Sequence, residues 1–181
     1  MSHEATLNEL KERVGKILDL RRVSALVGWD QQTMMPPAGN DARADQLATI
    51  DRFSHELFVS EETGKLLDEL AEHENELDPE SIDAALIRVT RRDWEKARRV
   101  PPELRAELTK AEVLGVMAWA EARRNSDFEA FLPYLEKNVE LKHRYLECFK
   151  DTGKSDYDIL LDDYQEGARS EEITAIFERV K

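Results

Sequence analysis

Cysteine is nearly missing from this chain of 181 residues: Cys148 stands alone, so no internal disulfide can form and a stapled secreted domain is excluded. Glycine is sparse as well, and its seven copies are scattered, which leaves no glycine-rich turn for a dinucleotide. Long apolar runs are missing. The longest clean one, Val113 to Ala120, falls far short of the roughly 20 residues that span a bilayer. The opening MSHEATLNELKER lacks a basic segment followed by an apolar stretch and does not read as a signal peptide, so a cytoplasmic location is expected. Lys and Arg number 26 against 39 Asp and Glu, and the net charge of −13 disfavours nucleic acid and anionic membranes as partners. Residues that favour strands are also few: Val, Ile and Thr total 25, against 63 for Ala, Glu and Leu.

What is present is helical periodicity. Seven stretches carry it, and the expected fold is all-α, an antiparallel bundle of about six or seven helices forming one domain over 1–181. Thr6 with Glu9 reads as a capping box opening a first helix that runs through Leu7, Leu10, Val14 and Ile17 to about Trp29. Pro36-Pro37 and Gly39-Asn40 interrupt the pattern, and Leu47, Ile50, Ser54, Leu57 and Phe58 mark a second helix. Ser60 is the expected cap of a third, with Leu66, Leu67, Leu70 and Ala71 facing inward. Asp78-Pro79 reads as the start of a fourth, built on Ile82, Leu86 and Val89. Pro101-Pro102 separates it from a fifth through Leu104, Leu108, Ala111 and Ala118. Ser126 with Glu129 should cap the sixth, in which Phe128, Leu132, Leu135, Val139, Leu146 and Phe149 face inward and Pro133 either kinks the helix or marks its beginning. Asp151 to Gly167 is the least regular segment. Ser170 then caps a last helix whose stripe of Ile173, Ile176, Phe177 and Val180 either docks on this bundle or belongs to a longer polypeptide.

Chemical motifs are mostly incomplete. A helical zinc motif H-E-x-x-H needs two histidines one turn apart. His3, His55 and His73 each precede a glutamate, yet Leu7, Val59 and Leu77 occupy the second histidine's place, so these read as exposed or capping histidines. Glu140 with His143 supplies one Glu-x-x-His pair where a di-metal bundle requires two. Gly153-Lys154-Ser155 copies the end of a phosphate loop, but Cys148 stands where that loop needs its first glycine; Gly153 is better read as ending a helix. From Arg88 to Arg105 seven bases face three acids, a stretch read as Arg side chains crossing to acidic neighbours, and Cys148 reads as core.

The segment Trp29-Asp30-Gln31-Gln32-Thr33-Met34-Met35-Pro36-Pro37 stands apart. Asp30 can accept backbone N–H groups in the turn leaving the first helix, Trp29 and the methionines can bury apolar area, and the prolines fix an extended exit. The alternative is the rim of a substrate groove, with Trp29, Asp30 and Gln31 as recognition groups on a rigid turn.

This string resembles the N-terminal region of the carboxypeptidase Taq family of zinc metallocarboxypeptidases. Ala42-Arg43-Ala44, Gln46-Leu47-Ala48-Thr49, Asp127-Phe128, Pro133-Tyr134-Leu135-Glu136-Lys137 and Tyr157-Asp158-Ile159-Leu160-Leu161-Asp162-Asp163-Tyr164 are similar to it in the same order. The resemblance implies a helical peptidase that releases amino acids from peptide C-termini, with zinc held by the two histidines of H-E-x-x-H and a later glutamate, and with a tendency to form homodimers. No position here inherits a metal or catalytic role. What the resemblance assigns to these residues is one wall of the substrate groove, with Trp29, Asp30 and Gln31 at its rim, and a chain that is inactive by itself. The competing reading is a stand-alone helical interaction module that keeps the fold without the chemistry.

Overall fold

A computed structural model describes residues 3–71 and 77–180. Among them are eight α-helices and no strand. They are α1 (His3–Thr33), α2 (Asn40–Val59), α3 (Glu61–Ala71), α4 (Ile82–Ala97), α5 (Pro102–Asn125), α6 (Phe128–Glu147), α7 (Asp156–Leu161) and α8 (Ser170–Val180). Seven of these answer to the expected stretches; α7, six residues long, lies in the segment read as irregular. Helix α1 packs on α2 and α3, α2 on α5, and α5 on α6, which makes an antiparallel bundle with α2 in its middle. The His73-Glu74 pair lies outside the described residues.

Three apolar clusters hold the bundle together. Leu7 and Leu10 of α1 meet Leu66, Leu67 and Leu70 of α3 and Ile87 of α4. Ala44 and Leu47 of α2 meet Val113 of α5. The third joins Val100, Leu104 of α5, Leu141, Tyr145 and Leu146 of α6, Phe149 and Ile159 of α7. Fully burying one such aliphatic side chain is worth about 1.5–3 kcal/mol.

Helix ends depart from expectation because neighbouring polar residues compete for each cap. Thr6 lies inside α1, and its hydroxyl bonds Glu69 at 3.2 Å rather than capping. Helix α1 also continues past Trp29 to Thr33. Helix α4 is capped by Ser81, whose Oγ accepts from the Ala84 N–H, while Asp78 bonds the Glu80 N–H in the preceding turn. The inward face is Ala84, Ile87 and Thr90, and Ile82 is 85% exposed and Val89 exposed too. Asp127, and not Ser126, caps α6 by accepting from Ala130; Ser126 instead ends α5 with a left-handed φ of 55°. Pro133 sits inside α6, neither opening nor ending it, and Phe128, Leu135 and Val139 are exposed. Ala71 is exposed as well. Ser60 does precede α3, with its Oγ 3.4 Å from the Thr63 N–H, and Gly153 ends a short 3-10 turn at φ 70°. Ser170 is the first residue of α8 and not its cap, and no residue of α8 is buried, so the docking on this bundle considered for its stripe is not observed among the described residues.

The basic stretch does cross to acidic neighbours. Arg91 reaches Asp68, Arg92 reaches Asp162 and Glu166, Arg99 reaches Asp151, and Arg105 reaches Asp51. Lys96 is 2.6 Å from Asp162 and 2.8 Å from Asp163, which also accepts from the Tyr145 hydroxyl at 2.8 Å. Asp162 further accepts the Gly167 N–H at 2.9 Å. Burial pushes its carboxyl up, but the Lys96 ammonium, the Gly167 N–H and Lys154 prevail and hold it at about 2. A carboxyl with a depressed folded pKa contributes stability that is present above its unfolded pKa of about 3.9 and lost as pH falls through the folded value.

Two outcomes follow from this packing. A Cβ on Gly64 would lie 2.7 Å from Trp94 Cζ2; Gly64→Ala should therefore lower the urea midpoint, since overpacking of about 1–3 kcal/mol exceeds a helix-propensity gain of about 1 kcal/mol. The same change in a Trp94→Leu background should be neutral or stabilising. For the acid cluster, pepsin cleavage within residues 156–180 should accelerate as pH falls from about 4 to about 2, and Asp162→Asn should show comparable susceptibility to a neutral protease at pH 7.

Candidate functional site

The site is the corner between α1 and α2. Helix α1 ends without a glycine, and its last turn closes on one acceptor: the Asp30 carbonyl takes the N–H groups of both Met34 and Met35 at 2.9 Å. The Thr33 hydroxyl donates to the Trp29 carbonyl at 2.8 Å. Pro36 is extended, Pro37–Gly39 make a 3-10 turn, and α2 begins at Asn40. Proline at these positions removes donors that would otherwise need partners and stiffens the exit.

The Asp30 side chain does not bond the turn. Its carboxylate accepts from Arg43 Nη2 at 2.7 Å, and the backbone carbonyl takes the role expected of the side chain. The Arg43 guanidinium also donates to the Val27 carbonyl at 2.7 Å and to Gln46 Oε1 at 3.2 Å. One cation from α2 thereby serves both a helix carbonyl and a carboxylate near the C-terminus of α1, the end where the helix dipole favours positive charge. Gln31 Nε2 donates to Asn40 Oδ1 at 3.3 Å, a second tie between the helices. Met35 packs against Gly39, where an added Cβ would approach its Cγ to 3.3 Å.

The three residues read as a rim thus lie within one turn of α1 and differ in state. Trp29 is 60% exposed, with Met34 exposed further along the chain. Asp30 is neutralised by Arg43, and Gln31 is half-buried against Asn40. Arg43 is the member that sequence reasoning passed over. Its signals in the sequence are its place one turn into the helix that follows the prolines and its membership of the Ala42-Arg43-Ala44 string.

Other candidates are structural. His55 is buried, not exposed, and its Nε2 lies 2.7 Å from the Val100 carbonyl. Burial lowers its pKa against the raising effect of that hydrogen bond, so it is neutral near pH 7 and ties α2 to the α4–α5 connection. Cys148 is half-buried beside the third apolar cluster, its thiol pushed up chiefly by burial and therefore poorly nucleophilic. His143 is exposed, and Glu140 pairs with Lys137. A groove of about 610 Å³ runs past Arg92, Lys96, Arg98, Arg99 and Lys154, but the Asp162 carboxylate already occupies the centre of that positive cluster. Among the described residues no group of three or more His, Cys, Asp or Glu is placed to hold a metal ion. These residues therefore do not fit a zinc site, and no hydrolytic step is assigned to them. No helix among them is long and apolar enough to cross a membrane.

Comparison with known proteins gives a consistent result. The carboxypeptidase Taq (M32) metallopeptidase family profile matches residues 9–181. Thermostable carboxypeptidase 1 of Thermus thermophilus is 32% identical over 189 aligned residues, covering 100% of this chain and 37% of the relative. The BsuCP crystal structure superposes with a TM-score of 0.89 at 23% identity, over 97% of this chain and 35% of the other. Trypanosoma cruzi metallocarboxypeptidase 1 does so at 0.76 and 26%, over 97% and 35%. The chain spans about a third of the length of these relatives. It belongs to the carboxypeptidase Taq (M32) metallopeptidase family.

Proposed function

We propose that this chain is the N-terminal, groove-walling part of a metallocarboxypeptidase that releases C-terminal amino acids from peptides in the cytoplasm, and that it does not hydrolyse peptides by itself. The corner between α1 and α2 carries the reading. Trp29 presents an aromatic face from a helix end whose neighbours are locked by Arg43 and Asn40, so a passing peptide meets a surface already rigid. Asp30, paired with a cation, acts here as a positioning group, and the apolar contact falls to Trp29. Catalysis would need zinc, which activates water when held by its family ligands; those ligands are expected in the part of the relatives that this chain does not match.

The test is a chimera in which this chain replaces the matched third of the Thermus thermophilus relative. Zinc-loaded chimera should release C-terminal amino acids from short peptides, and the chain alone with zinc should release none above buffer. Trp29→Ala in the chimera should raise KM about 3–30-fold with kcat nearly unchanged, the signature of lost binding common to ground and transition states. Arg43→Ala should produce the same KM change together with a lower melting temperature. Amino-acid release by the isolated chain, or a Trp29→Ala chimera with unaltered KM, would refute the assignment.

A further inference from the structure

Helices α2, α4 and α6 do not close on one another completely. Between them lies a partly open cavity of about 320 Å³, lined also by Arg21 of α1, Arg105 of α5 and Asp163 beyond α7. Small-molecule sites begin at about this size. Buried residues make its floor, where Ser54 is 4% and His55 9% exposed and Phe58, Val100 and Tyr145 pack beside them. Exposed residues, Arg21 and Arg105, stand at its mouth.

Two polar atoms of that floor are unspent. The Val100 carbonyl can only accept, so the proton of the neutral His55 ring is on Nε2, 2.7 Å away, and Nδ1 is left as a bare acceptor. Neither Nδ1 nor the Ser54 hydroxyl has a hydrogen-bond partner among the described residues, and neither is sealed from solvent, so both face the cavity. Polar groups this deep are ordinarily bonded.

The charges around the cavity nearly cancel. Asp51 accepts from Arg105 Nε at 2.8 Å, Asp163 accepts from Lys96 at 2.8 Å, and Asp93 pairs with Arg92 at 3.1 Å. A polyanion or a polycation would have to break these pairs. Arg21 is the exception: its guanidinium lies 5.6 Å from the centroid of the Phe58 ring and has no carboxylate partner among the described residues. Asp51 stands one turn before Ser54 and His55 on α2 and places negative charge beside their free acceptors. The complementary ligand is small, anionic at the mouth and cationic at the floor.

We propose that this cavity binds a free α-amino acid with an apolar side chain. Its carboxylate meets Arg21 and the terminal nitrogens of Arg105, its ammonium donates to His55 Nδ1 and the Ser54 oxygen, and its side chain lies against Phe58, Val100 and Tyr145. Amino acids are also what the proposed reaction releases, but the site is built from this chain's residues and its occupancy is measured without turnover.

Calorimetric titration of the chain with L-leucine, up to about 10 mM, tests this. Leucine should bind once per chain, whereas isocaproate and isoamylamine, each lacking one charged end, should bind at least about tenfold more weakly. Ser54→Ala should weaken leucine about tenfold while the melting temperature holds or rises, because alanine favours helix and the hydroxyl removed had no partner. Arg21→Met, which keeps an apolar stem on Phe58, should weaken leucine comparably and leave isoamylamine unaffected. The His55 Nδ1 resonance of the wild-type chain should shift on saturation. Absence of both heat and shift leaves the cavity to water and overturns the proposal. So does equal affinity for leucine and either one-ended analogue, or unchanged leucine affinity in either variant. An inactive chimera would fail the proposed function and leave this binding intact; an active chimera built from a chain that ignores leucine would do the reverse.

Discussion

Helix α2 has neighbours on several sides at once, and small side chains make that possible. Ala44, Ala48 and Ser54 are all buried on it, where larger groups would hold α1 and α5 apart. Its polar positions then serve the same contacts. Asp51 accepts from Arg105 Nε at 2.8 Å and from the Thr109 hydroxyl at 2.6 Å, while His55 reaches the Val100 carbonyl at 2.7 Å. Exposed pairs contribute little alone. Here they set the register of a packed interface. Once α2 is fixed between α1 and α5, Arg43 necessarily lies beside the last turn of α1, and the corner carrying Trp29 inherits its rigidity from the bundle.

Charge has an internal purpose in this fold. A −13 chain with a basic stretch invites the idea of an anionic ligand, but the stretch lies on α4, its connection to α5 and the first turn of α5, between acids of α2, α3 and the segment around α7. Each of Arg91, Arg92, Lys96, Arg99 and Arg105 spans to one of them. Asp162 is the densest point, with three cations and a backbone N–H around one carboxylate. The cost of gathering positive charge on one helix is thereby offset inside the molecule, and the segment leading to α8 is secured where apolar burial is thin: Ile159 is the one buried residue of α7.

Period and resemblance made the helices and the family legible in the sequence, and the reasons for the misses are physical. A helix interior is announced by many residues at once, whereas an end is decided by competition among a few. Asp78 and Ser81 are both good caps, and Ser81 takes α4 while Asp78 bonds the Glu80 N–H in the turn before it. Ser126 and Asp127 compete in the same way, and Ser126 is taken by the left-handed end of α5. Helix α7 was hidden because six residues are too few to display a period. The candidate corner was legible as a string but not as a mechanism, since the bond that defines it joins Arg43 to Asp30 and Val27, residues brought together only by the antiparallel turn.

The exposed apolar residues divide according to what holds the backbone beneath them. At Trp29 the helix end is pinned by a guanidinium, a 3-10 turn and two prolines, so contact with a ligand would order little more than the indole itself. At α8 the approach is pinned through Asp158 and Asp162, but no residue of the helix beyond is buried, so little apolar packing resists its fraying. Ordering a side chain costs roughly 0.5–1.5 kcal/mol, and ordering a backbone residue about 1–2 kcal/mol, so covering the two surfaces has different energetics. A pinned surface can bind and release small molecules quickly, because little is ordered on each encounter. A fraying one must recover the ordering of a whole helix, which only a large and lasting contact can supply. The same composition, apolar side chains left in water, thus stands on a stiffened backbone at Trp29 and on a marginal helix at α8.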